Sequence, residues 1–166
     1  MIGTTLAGAA IATAILFLSM RKWWTGGRAL KDLIPTVQGL ITGAMSTVCV
    51  GGLAGWLSSC TRQAVNFGGG TVVSGTTGTD SSEPIATGSM GGLTEEGGVV
   101  VFLLFVATVA AYKAFNKEEK GRLTGAIVAG CILCATAGVA GMLDSLPGIA
   151  NGLGASGAAL FEGKGL

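Results

Sequence analysis

Apolar residues run along this chain in long unbroken blocks, without the strict alternation of strands or the polar stripe of soluble helices. No charged residue lies from Met1 to Met20, between Asp32 and Arg62, between Glu96 and Lys113, or between Arg122 and Asp144. Each gap holds an apolar stretch close to the roughly 20 residues that cross a bilayer as a helix. The pattern predicts an all-α protein with four transmembrane helices: Ile2–Met20, Leu33–Leu57, Val99–Phe115 and Leu123–Leu143. The third is the shortest, and it spans if Lys113 carries its ammonium out to the interface along its own stem. None of the four has a polar face wide enough to meet water on one side, as a helix of a soluble bundle would.

Composition agrees. Only 11% of the 166 residues are charged, against roughly 25% in an average soluble domain. Hydrophobic residues make up 49%, and mean hydropathy is +0.66. Intrinsic disorder, which requires low hydrophobicity and high charge, is excluded. The first block lacks the basic residues that open a signal peptide, and Arg21 and Lys22 follow it instead, so it reads as a retained helix.

Charge placement sets an orientation. The turn from Arg21 to Asp32 carries Arg21, Lys22, Arg28 and Lys31 against Asp32, a net +3. The turn from Lys113 to Arg122 carries Lys113, Lys117, Lys120 and Arg122 against Glu118 and Glu119, a net +2. The long Ser58–Gly98 segment is net −3, and the tail after Leu143 is net −1. Basic residues concentrate in short cytoplasmic loops. Both basic turns are therefore expected inside, with both termini and the long segment extracytoplasmic. Trp23 and Trp24 fall at the inner boundary and Trp56 near the outer one, where aromatic anchors belong.

This orientation divides the chain into a first helical hairpin (1–60), a Gly/Ser/Thr-rich extracytoplasmic linker (61–98), a second hairpin (99–147) and a small-residue tail (148–166). The linker reads as mobile, with a short hairpin around Thr71–Val73 and Ile85–Thr87. The tail is compatible with a short interfacial helix through Ile149, Leu153, Leu160 and Phe161. The two halves share wording. Thr42-Gly43-Ala44, four residues, then Cys49 matches Thr124-Gly125-Ala126, four residues, then Cys131. Gly52–Ser59 (GLAGWLSS) matches Gly138–Ser145 (GVAGMLDS), after four extra residues in the second copy. More weakly, Ile11-Ala12-Thr13 matches Val106-Ala107-Thr108. Such repeats are parallel, unlike the inverted repeats of many transporters.

Small residues recur every four positions along the second block at Gly39, Gly43, Thr47, Gly51, Gly55 and Ser59, and so share one helical face. The fourth block carries Gly121, Gly125 and Ala129 on one face, and Gly130, Cys134 and Gly138 on another, with Gly141 further on. Close backbone approach across small residues drives helix association in lipid. The glycines Gly39, Gly43, Gly51, Gly55, Gly125, Gly138 and Gly141 are therefore the expected helix-packing positions, and their number points to a homo-oligomer.

Catalytic chemistry is sparse. The chain has no His, and no Asp, Glu, Lys or Arg at mid-span, where pumps and coupled transporters usually need one. Cys131-x-x-Cys134 lies mid-span without a partner pair, which favours packing over redox or metal chemistry. Cys60, at the outer boundary, is either an intermolecular disulfide partner or a free thiol. The glycine runs Gly68–Gly70 and Gly97–Gly98 precede no Lys-Ser/Thr pair and are no phosphate loop. The residues suggest no enzyme, no metal, no cofactor and no small-molecule substrate.

Helix, short basic turn, small-rich helix and two outside termini: each half, over Ile2–Ser59 and Val99–Ser145, resembles the pilin of conjugative type IV secretion systems. That resemblance implies a structural subunit of the bacterial cell membrane that polymerises into a hollow extracellular filament with bound phospholipid and carries nucleic acid through its lumen. It further implies that Arg21, Lys22, Arg28, Lys31, Lys113, Lys117, Lys120 and Arg122 line the lumen or contact lipid phosphates. Two hairpins in one chain, no evident cleavable leader and a long outer segment depart from the family. The competing expectation is a small pore-forming membrane protein, like holins or the spread proteins of plasmids. An accessory subunit of a larger membrane complex is a third.

Overall fold

A computed structural model describes residues 4–27, 29–80 and 83–163. Among them the chain is all-helical, with seven α-helices and two isolated backbone bridges. In chain order they are α1 (Leu6–Thr25), α2 (Ile34–Val48), α3 (Gly52–Thr77), α4 (Glu95–Ala114), α5 (Lys117–Leu133), α6 (Ala137–Met142) and α7 (Ser145–Phe161), with a 3-10 turn at Leu30–Asp32 before α2. Two helices, α1 and α4, are long and apolar enough to cross a membrane. Both are 20 residues, about 30 Å at 1.5 Å per residue.

The second and fourth expected spans are not continuous. The second breaks after Val48, and the following helix is bent by 105°. Gly51 is extended and Gly52 has φ +72°, a left-handed conformation that glycine adopts without a Cβ clash. This Gly-Gly pair, placed in an apolar run, reverses the chain where composition alone reads straight through. The fourth span breaks after Leu133, and Thr136 opens the short α6. The expected linker is also different. Ser58–Thr77 continues α3 as regular helix, so Thr71–Val73 is helical and pairs with no strand.

Within the expected linker the 83–92 stretch is non-helical, and it runs across one end of the bundle. The Ile85 N–H donates to the Thr4 carbonyl at 2.9 Å, and the Ala137 N–H donates to the Ala86 carbonyl at 3.0 Å. The Gly88 N–H donates to the Ala135 carbonyl at 3.1 Å. The last two satisfy backbone groups that the α5–α6 break would otherwise leave open. The 148–166 tail is helical through Phe161, with Ile149, Leu153 and Leu160 exposed along one face.

α2 and α5 form the centre and run parallel. Gly39 meets Leu123 and Ala126, Gly43 meets Ile127, Gly130 and Cys131, and Gly130 in turn meets Leu40 and Ala44. The outer helices do not close into sequential hairpins. α1 lies antiparallel on α5, with Gly125 against Ile15 and Ala12 packed with Ala129 and Ile132, and its contact with α2 is marginal. α4 lies antiparallel on α2, with Val101 against Met45 and Thr108 against Thr42. The first helix of each half thus packs on the central helix of the other half. Two hydrophobic clusters express this. One joins Ala12, Ile132 and Val65; the other joins Val101, Met45 and Ala150 from the corresponding helices.

The two halves share a helix start, in a register that differs from the sequence alignment. α1 and α4 match end to end, so Thr5 corresponds to Thr94 and Gly8 to Gly97. Each threonine caps its helix, its Oγ1 accepting from the glycine N–H at 3.1 Å. Ile11–Thr13 and Val106–Thr108 do not correspond in this register. At the centre Gly43 faces Gly130 of α5, whereas Gly125, its counterpart in the sequence alignment, faces Ile15 of α1.

Candidate functional site

The antiparallel packing collects the ends of four helices into one basic end. Arg21, Lys22, Lys117 and Arg122 line a cavity of about 800 Å³, with Glu118 on its rim and Ile15 and Leu18 on its apolar wall. Arg122 joins the two turns: its Nη1 donates to the Asp32 carbonyl at 3.2 Å, and its Nη2 lies 3.9 Å from Glu118. Lys120 is drawn aside, its Nζ 5.5 Å from the centre of the Tyr112 ring, a cation–π distance. Lys31 and Lys113 are exposed and line none of this cavity. Arg28 lies outside the described residues. Trp23 closes the first turn, its indole N–H donating to the Ala29 carbonyl at 3.0 Å. Glu119 is a structural residue here. It and Asn116 form a reciprocal capping box at the start of α5, at 2.9 and 3.0 Å. Four cations around an apolar-walled cavity suit an anionic group that carries an apolar body.

The packing glycines divide. Gly39, Gly43 and Gly125 sit against a neighbouring helix. Gly55 folds back on the Cys49 carbonyl at the break, while Gly51, Gly138 and Gly141 have no neighbour within 4 Å of a Cβ position. The difference follows from the breaks, which turn α3 and α6 out of line with the helices before them. Gly130, on the second small-residue face of the fourth block, packs at the centre against Leu40, Gly43 and Ala44.

At the opposite end each half carries the same clasp. Asn66 Oδ1 accepts from the Thr5 N–H at 3.1 Å and from its hydroxyl at 3.2 Å. Asn151 Oδ1 accepts from the Thr94 N–H at 3.0 Å and from its hydroxyl at 3.3 Å. Three residues on, Gly69 and Gly154 let α3 and α7 approach the backbone at Ala7–Gly8 and Glu96–Gly97. The signal was in the sequence as two Asn-x-x-Gly and two Thr-x-x-Gly pairs, hidden in stretches that read as linker and tail.

The chain matches no protein-family model, no curated protein and no solved structure.

Among the described residues no three His, Cys, Asp or Glu side chains are grouped to hold a metal ion. The four cysteines are free. Cys131 and Cys134 are buried beside the α5–α6 break, with the Cys131 thiol 3.1 Å from the Ser46 hydroxyl, and Cys60 is half-buried on α3.

Proposed function

We propose that the protein is a pilin-like structural subunit of the bacterial cell membrane that self-associates into a filament or channel for conjugative or secretion-type transfer. In this reading α1, α2, α4 and α5 cross the membrane, the basic end is cytoplasmic, and α3 and α7 lie at the outer interface. One observation carries it: large apolar side chains lie on the surface while the closest helix approach uses small ones. Leu53, Trp56 and Phe67 of α3, Phe102 and Val109 of α4, and Leu153 of α7 are exposed, whereas α2 and α5 meet through Gly39, Gly43 and Gly130. Exposed apolar surface around a close small-residue contact suits lipid or further copies of the chain. The basic cavity then meets phospholipid phosphates in the membrane, or lines a lumen through which nucleic acid passes once subunits assemble.

Two measurements test this. The solubilised protein is expected to be a regular homo-oligomer by size and by electron microscopy, and sheared surface material is expected to contain filaments of this chain. A detergent-bound monomer together with filament-free preparations would sink the proposal.

The helix breaks favour a second reading, a small pore-forming or spread-type membrane protein. Irregular backbone at membrane depth is tolerated where it is buried in protein or lines a water-filled cavity. Dye release from liposomes carrying the protein separates the two, since a resting structural subunit leaves the dye inside.

A further inference from the structure

The two helix breaks enclose a second cavity, of about 170 Å³, at the end of the molecule away from the basic turns. Its wall is formed by the end of α2, the first turns of α3, the non-helical 88–92 segment and the end of α5. It holds one formal charge, Arg62, and no carboxylate lines it. The ion pair recorded among the described residues is the one at Arg122, so Arg62 has no acidic partner among them.

Two polar groups in this wall are enclosed and unsatisfied. The Ser58 hydroxyl is 1% exposed and has no hydrogen-bond partner, and neither does the buried Nε of Arg62. The Cys131 thiol lies beside Ser58 but outside hydrogen-bonding geometry. The other end of the guanidinium reaches Ser59 Oγ only at 3.4 Å. An enclosed donor without a partner costs about 1–3 kcal/mol, more when charged, so two converging on one cavity call for an occupant. Of the first turn of α3, which has no side-chain cap, Gly55 lines the same wall, alongside the C-terminal ends of α2 and α5.

We propose that this cavity binds a phosphate-class oxyanion. A guanidinium offers a planar pair of donors matched to two oxygens of one anion, and the Ser58, Ser59 and Ser89 hydroxyls supply further donors around it. A cation is disfavoured, because no carboxylate is present to hold it. The space equals several water volumes, enough for a tetrahedral oxyanion. The group can arrive as free inorganic phosphate or as the headgroup of a phospholipid, since the cavity lies beside the apolar face of α3. The site is separate from the basic end and stands whether or not the chain assembles.

The test uses the protein purified and delipidated in a maltoside detergent, which carries no phosphate. Thermal unfolding is followed with inorganic phosphate titrated against chloride at fixed ionic strength, because a ligand of the native state raises the midpoint by mass action. A parallel arm measures added phosphatidylglycerol retained by native mass spectrometry. We expect at least one arm to report binding. Phosphate stabilisation identifies the free ion as the source, and lipid retention identifies the headgroup. Arg62→Gln is expected to weaken that binding about tenfold or more, and Arg62→Lys, which keeps charge but loses the fork, by less. Ser58→Ala removes only an unpartnered hydroxyl, so it is expected to fold as well as the wild type and still bind more weakly. No binding in either arm, or unchanged binding in Ser58→Ala together with Arg62→Gln, overturns the proposal.

Discussion

Asn66 and Asn151 each take two donors from a single threonine, and both bonds go to one amide oxygen. Removing that oxygen strands a backbone N–H at the start of α1 or α4. Asn66→Ala and Asn151→Ala are each expected to destabilise the protein by about 1–3 kcal/mol, measured by denaturant unfolding in detergent. Because the two clasps share no partner, the double variant should be close to additive. The glycines separate in the same way. A methyl at Gly43 meets the α5 backbone, so Gly43→Ala is expected to cost about 1–3 kcal/mol through overpacking. A methyl at Gly141 meets open space within α6, and Gly141→Ala should be neutral or stabilising by up to about 1 kcal/mol. The sequence marks both as small residues and cannot tell them apart, because what distinguishes them is a neighbour far along the chain.

Among the elements, α1 and α4 were legible because charge-free blocks of the right length bound them on both sides. Their end-to-end correspondence was not, since the matching residues, Thr5 with Gly8 and Thr94 with Gly97, are too short a pattern to outweigh the longer Gly/Ala coincidences. The break at Gly51–Gly52 had a local signal in the glycine pair, overridden by the apolar residues on either side. The break at Cys134–Thr136 had none, because it depends on Ala86 and Gly88 arriving from another segment. α3 was illegible for a related reason: Ser59–Thr77 is poor in strong helix formers, and its docking through Asn66 and Gly69 supplies what propensity lacks. Within the central packing, the Thr42 and Thr108 hydroxyls lie 2.9 Å apart and tie α2 to α4. Thr108→Val is expected to cost about 0.6 kcal/mol and at most about 1.7, the range for hydrogen bonds between membrane helices. A larger loss in detergent unfolding would mean that the hydroxyl pair organises more of the core than its own contact.

For the whole molecule, each half places its outer helix on the other half's central helix. Neither half can therefore complete its hydrophobic cluster alone. Fragments divided in the exposed stretch after Gly78 are expected to fail as separate folded proteins and to reassemble when produced together. Limited proteolysis of co-purified fragments, compared with each fragment alone, checks this. The basic end was legible at this scale from where the charges fall between the apolar blocks, whereas the choice of which helix packs on which depends on side-chain fit that summed charge does not carry. The interlocked chain presents two unequal flanks, one bearing Trp56 and Phe67 and the other Ile149 and Leu153. A ring or helix built from such units alternates two kinds of lateral junction. Its repeat is one chain, and the contact that nucleates growth need not be the one that closes it.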